Sequence, residues 1–94
     1  MKHIVHPGEI LNDELDALEL SAAALARALN VPANRITQIL RGQRSITGDT
    51  ALRLGHWFNM NPLFWLNLQT AYDLGMARRT ASAEIETLPQ LAAG

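Results

Sequence analysis

Asn34, Arg35, Thr37, Gln38 and Arg41 crowd into one short stretch, and Gln43 and Arg44 follow directly. These side chains share one kind of chemistry, directional hydrogen bonding to polar edges. An arginine guanidinium can pair bidentately with guanine, and an asparagine or glutamine amide with adenine. The same groups are also ordinary on a solvated helix, so the residues between them have to decide. Ile36, Ile39 and Leu40 fall at helical intervals and form an apolar stripe, which leaves the polar side chains facing outward. Gly42 ends that helix.

Something must hold such a helix against a core, and the preceding residues supply it. In the run SAAALARALNVPANRITQILRGQR, Ser21 is suited to cap a helix whose Leu25, Ala28 and Leu29 share a face. Ala26 also points inward, where a small side chain lets a second helix cross closely. Asn30 tolerates the left-handed conformation that stops a helix, and Pro32 fits the first turn of the next one. Residues 21–41 therefore read as a helix-turn-helix, in which a buried helix presents a second one to the DNA major groove. A helical hairpin within any small bundle, its polar face merely solvated, would share the pattern.

Composition narrows the choice. Ninety-four residues make one domain with a modest core. Aromatic residues make up only 5% of a chain rich in Ala and Leu, which favours an all-α fold. Without cysteine, disulfides and thiolate metal sites are excluded. No apolar run approaches the roughly 20 residues of a membrane span, and no signal-peptide pattern follows Lys2, so a soluble, cytoplasmic protein is expected. The net charge of −1 is unevenly spread. Glu9, Asp13, Glu14, Asp16 and Glu19 lie in a stretch without a base, whereas Arg27, Arg35, Arg41, Arg44 and Arg53 share theirs with the single acid Asp49. Screening limits a charge's reach to about 10 Å, so the local field decides what is attracted. The two blocks suggest two partners of opposite charge, or two solvated faces.

The remaining elements follow the same grammar. His6-Pro7-Gly8-Glu9 leads into a helix to Leu18, with Ile10, Leu11, Leu15 and Leu18 inward and Asp13, Glu14 and Asp16 outward. His3 and His6 lack a third ligand and read as surface histidines, so no metal is expected. Ile46 anchors a loop, and Thr47 caps a helix over residues 48–59 with Asp49 in its first turn. Ala51, Leu54, Gly55 and Phe58 form its inner stripe, widened by Leu52, with Arg53 and His56 exposed. Trp57 suits either the core edge or a subunit contact. Asn61 and Pro62 open a last helix over residues 62–77, apolar around more than half its circumference. Phe64, Leu68, Ala71, Tyr72 and Gly75 share one face; Trp65, Leu66, Leu74 and Met76 lie on others. Phe64 alone reads as core, yet one small bundle cannot bury the whole set, and the excess points to dimerisation. The interface candidates are Trp57, Phe64, Trp65, Leu68, Tyr72 and Met76. Residues 79–94, despite an apolar alternation at Ala81, Ala83 and Ile85, read as a flexible tail following a domain of residues 1–78.

Three stretches carry a resemblance: HPGEIL at residues 6–11, LRGQRSIT with DTALRL at residues 40–54, and NPLFWLNLQTAYDL at residues 61–74. On these the chain resembles the HigA (VapI-type) antitoxins, a branch of the Cro/repressor-like (XRE) helix-turn-helix family. The resemblance implies a five-helix, lambda-repressor-like homodimer that binds palindromic half-sites of double-stranded operator DNA. It also implies repression of its own operon and neutralisation of a HigB-like toxin, a RelE-like messenger-RNA endonuclease. By the family pattern Ala33, Asn34, Arg35 and Gln38 face base edges, while Thr37, Arg41, Gln43 and Arg44 lie near phosphates or the groove rim. Ala22 replaces a glutamine that touches DNA in many relatives, and Gly48 a frequent proline.

Because an RNA-cleaving toxin should be basic, the acidic Asp13, Glu14 and Asp16 are candidates for its docking. A solitary repressor and an interaction module that has lost DNA binding are the alternatives. Ser21, Ser45 and Ser82 lack a base partner, and there is no glycine-rich phosphate loop. No enzymatic activity, cofactor or small-molecule substrate is therefore expected.

Overall fold

A computed structural model describes residues 2–92, with five helices and no strand among them. Met1, at the start of the domain, and Ala93 and Gly94 of the tail lie outside the described residues. The helices are α1 (Pro7–Leu18), α2 (Ala22–Leu29), α3 (Ala33–Leu40), α4 (Gly48–Phe58) and α5 (Leu63–Ile85). Helices α2 and α3 pack on each other, α1 crosses α3 and α5, and α4 bridges α2 and α5.

Local chemistry explains most boundaries. Ser21 Oγ accepts the Ala24 N–H at 3.1 Å, and Asn30 ends α2 at φ 56°. Thr47 caps α4, which stops at Asn59 with φ 55°. Pro32 precedes α3 in extended backbone and offers no capping side chain. Asn61 Oδ1 accepts the Leu63 N–H at 2.9 Å, so it caps α5 across Pro62.

Leu11, Leu15, Leu25, Ala26, Leu29, Ile36, Ile39, Ile46, Ala51, Leu54 and Trp65 form the core. Gly8 permits its tightest crossing: a methyl group there would lie 1.9 Å from the Ile39 carbonyl oxygen. Thus α1 can lie directly against the end of α3.

Several expectations need correction. Trp65 is 1% exposed whereas Phe64 is 41% exposed, so the inward face of α5 is that of Trp65 and Gln69. Trp65 is therefore not available to a dimer interface. Leu18, Ala28 and Leu52 are exposed: Leu18 is the last residue of α1, and Ala28 and Leu52 sit at the margins of their helices' inner stripes. His6 is buried, not a surface histidine. Helix α5 continues through Ile85, so the segment assigned to a tail from residue 79 is helical at its start. Arg78 to Ile85 contains no Gly or Pro, and five alternating residues are too few to compete with its helix formers. Arg79 also donates to the Lys2 carbonyl, tying the residues before α1 to α5.

Candidate nucleic-acid interface

Ile36 and Ile39 are fully buried, which orients α3 by its inner edge. Its outer edge carries Ala33, Asn34 and Arg41, all exposed, and Arg35, Thr37 and Gln38, all partly exposed. Gln43 and Arg44 are exposed on the loop that follows. The structure thus brings all eight predicted DNA-contacting residues onto α3 and its adjoining loop. At α2, Ala22 is partly buried against the core.

Three of these side chains, Arg35, Gln38 and Arg44, are already paired with another side chain. Arg35 Nη1 donates to Asp49 Oδ2 at 2.6 Å, and Arg53 Nε donates to the same oxygen at 2.9 Å. The two guanidinium partners hold the Asp49 carboxyl below its ordinary pKa, chiefly through the Arg53 and then the Arg35 hydrogen bond. Arg53 Nη1 reaches back to the Leu29 carbonyl at 2.8 Å. The chain of contacts therefore runs from the end of α2, through α4, to the outer edge of α3. Arg44 Nε donates to Gln38 Oε1 at 2.8 Å.

Behind the interface the loop is fastened. Gly42 adopts φ 72°, and Gln43 N–H bonds the Gln38 carbonyl at 2.8 Å. Ile46 is buried, and its N–H donates to Gln69 Oε1 at 2.7 Å. Gln69 Nε2 in turn donates to Asp73 Oδ1 at 2.9 Å, which fixes which end of the amide faces the loop. His6 closes the other side. Its Nδ1 accepts the Gly8 N–H at 2.9 Å, and its ring meets Tyr72 edge-on at 4.7 Å. Glu9 completes the cap by accepting the His6 N–H at 2.9 Å. Burial lowers the His6 pKa despite the carboxylates of Glu9 and Asp73, and the His6 and His3 hydrogen bonds lower that of Glu9.

A helix-turn-helix family model matches residues 11–64, spanning α1 to the start of α5. Virulence-associated protein I of Dichelobacter nodosus is 57% identical over 76 residues, covering 80% of this chain and 70% of the relative. An addiction module antidote protein of the HigA family from Coxiella burnetii superposes with a TM-score of 0.93 at 50% identity, covering 97% of this chain and 100% of that one. The chain belongs to the HigA family of helix-turn-helix antitoxins. Pseudomonas aeruginosa antitoxin HigA, whose structure is with the higBA promoter, superposes at 0.91 with 43% identity, covering 96% of this chain and 100% of that one.

Within this HigA-family fold the other predicted surfaces are separate from α3. Asp13, Glu14 and Asp16 are exposed together on α1. Of the proposed interface residues, Trp57 and Phe64 are exposed, while Leu68, Tyr72 and Met76 are half-buried. Leu52 and Leu63 add exposed apolar surface, at 64% and 55%.

Five contributors, Asp49, Arg53, Gln69, His6 and Glu9, escaped sequence reasoning as supports of the interface. The Asp49–Arg53 spacing of four residues is a recognisable helix pair, but its third member Arg35 is distant in sequence. Gln69 carried the weak signal of a polar residue within an apolar helix. His6 and Glu9 stand at capping-box spacing, with a histidine where Ser or Thr is usual.

Proposed function

We propose that this chain is an operator-binding antitoxin acting as a homodimer in the cytoplasm, where its DNA is. Two copies of α3, related by a two-fold axis, read palindromic half-sites about 34 Å apart in successive major grooves. Asn34, Arg35 and Gln38 address base edges, and Arg41 and its neighbours attract phosphates. The observation that carries this reading is α3 itself. Its buried isoleucine edge leaves a continuous polar edge outward, and Gln43 and Arg44 extend that edge. The Pseudomonas aeruginosa relative, whose structure is with the higBA promoter, supports the DNA-binding part of this reading. Trp57, Leu63 and Phe64 provide apolar surface for the second copy.

Bound to its own promoter, the dimer represses its operon, and a HigB-like, RNA-cleaving toxin is its protein partner. The acidic face of α1 is where a basic toxin docks. A mobility-shift experiment with DNA from upstream of the gene, against scrambled DNA and across salt concentrations, tests the repressor function. Specific retardation that weakens steeply with salt is expected. Equal affinity for scrambled DNA would overturn it. Adding the product of the neighbouring gene then tests the antitoxin function, and failure of that product to bind would leave a solitary repressor.

A further inference from the structure

Arg44 stands among the residues expected to meet phosphates, yet its guanidinium lies on Gln38, a base-reading side chain. We propose that Arg44 is a positioning residue: it sets the orientation of the Gln38 amide and thereby the base that Gln38 accepts. This rests on the DNA-binding function proposed above.

The backbone places the pair. Gly42 turns the chain through the left-handed region, and the Gln43 N–H bond to the Gln38 carbonyl folds the loop back on α3. Two residues beyond Arg44, Ile46 is buried and held by Gln69. Arg44 is thus confined between two fixed points, and its Nε reaches Gln38 at 2.8 Å without help from DNA.

Chemistry then decides the orientation. An amide's oxygen and nitrogen ends look alike in shape but not in bonding, and a guanidinium can only donate. Gln38 must therefore turn its Oε1 towards Arg44, and its NH2 group is left for the groove. An outward NH2 suits a base offering an acceptor, such as N7 of a purine. Cytosine presents its N4 amino group there, a donor facing a donor. Without Arg44 the amide is free to flip and accept from cytosine. Arg44 hence discriminates against cytosine without touching the base.

The full-length chain and its promoter provide the test. The base pair read by Gln38 is the one whose substitution ceases to matter in Gln38→Ala. All four bases are placed there, and binding is measured for the wild type, Arg44→Ala, Gln38→Ala and the double variant across salt concentrations. Thermal melting of each variant checks that the fold is intact. The expected result is that Arg44→Ala lowers the adenine-to-cytosine preference at that pair by about tenfold. Preferences at other pairs should stay unchanged, and adding Arg44→Ala to Gln38→Ala should alter base preference no further. Weakening of all four sequences by one factor, with a smaller salt slope, would make Arg44 a phosphate contact and overturn the inference. If the wild type itself fails to distinguish promoter from scrambled DNA, the DNA-binding function falls, and this inference with it.

Discussion

His6 must be neutral at Nδ1 to accept the Gly8 N–H, and its burial makes the proton costly. Its folded pKa lies below the ordinary 6.5, so the unfolded chain takes up the proton first as pH falls. The stabilisation is complete above about 6.5 and is lost as pH drops through the folded pKa. Glu9 adds a separate loss below its ordinary 4.5, because its carboxylate is also stabilised in the fold. Melting temperature measured from pH 7.5 down to about pH 2 should therefore fall in two stages, the lower one shared with Asp49, whose carboxyl is also held low. His6→Asn retains a capping oxygen and should abolish the upper stage while keeping the lower; a persistent upper stage would assign it elsewhere. On the DNA face, Asn34→Ala should cost about 1–3 kcal/mol of operator binding and relax preference at one base pair. Titrations against single-base operator variants would check it, and uniform weakening would deny Asn34 a base-reading role.

Helix α5 joins two environments along one rod. Its Trp65 face closes the core, and Phe58 and Phe64 flank that indole at centroid distances of 5.8 and 5.1 Å. Trp65→Ala should cost about 3–5 kcal/mol, read as a lower denaturant midpoint. Because domains of this kind are stable by only about 5–15 kcal/mol, much of the margin would disappear. A loss below about 1 kcal/mol would mean that the indole is not the core element it looks to be. At the crossing of α1 and α3, Gly8→Ala should destabilise by about 1–3 kcal/mol or more, since the Ile39 carbonyl belongs to backbone and cannot rotate aside. Melting of the variant measures this, and wild-type stability would show that α1 can shift without cost.

The described residues span 53 × 29 × 21 Å, with the exposed acids Asp13, Glu14 and Asp16 on α1 and the polar edge on α3. The α1 acids and the α3 polar edge lie on different helices, and the proposed function gives each its own partner. Reversing Asp13, Glu14 and Asp16 to lysine should weaken binding of a basic toxin and leave operator binding nearly intact. Calorimetry with the neighbouring gene's product and a mobility shift with promoter DNA separate the effects. Loss of DNA binding with toxin binding preserved would reverse the assignment of faces. Phe64→Asp should shift the chain towards monomer in sedimentation, because Phe64 is 41% exposed and its loss removes little of the core. It should also weaken operator binding through loss of the paired half-site. An unchanged dimer would place the two-fold axis away from this end of α5.

The amino-acid order by itself determined the five helices, their caps at Ser21, Asn30 and Thr47, and the polar edge of α3. These are local matters: a cap bonds within its own turn, and a face repeats every few residues. Even the HigA-family resemblance lay in short contiguous motifs. Tertiary structure alone decided which side of α5 turned inward, because Phe64 and Trp65 are both apolar and only the space beside α4 distinguishes them. It also brought Asp49 to Arg35, carried Gln69 under Ile46, and buried His6 against Tyr72. Each of those joins residues from separate elements, whose meeting depends on helix crossings rather than on sequence spacing. The end of α5 was equally beyond local pattern. The local pattern read as a flexible tail, whereas continuing the helix kept each peptide hydrogen-bonded until Ile85, a few residues before Pro89.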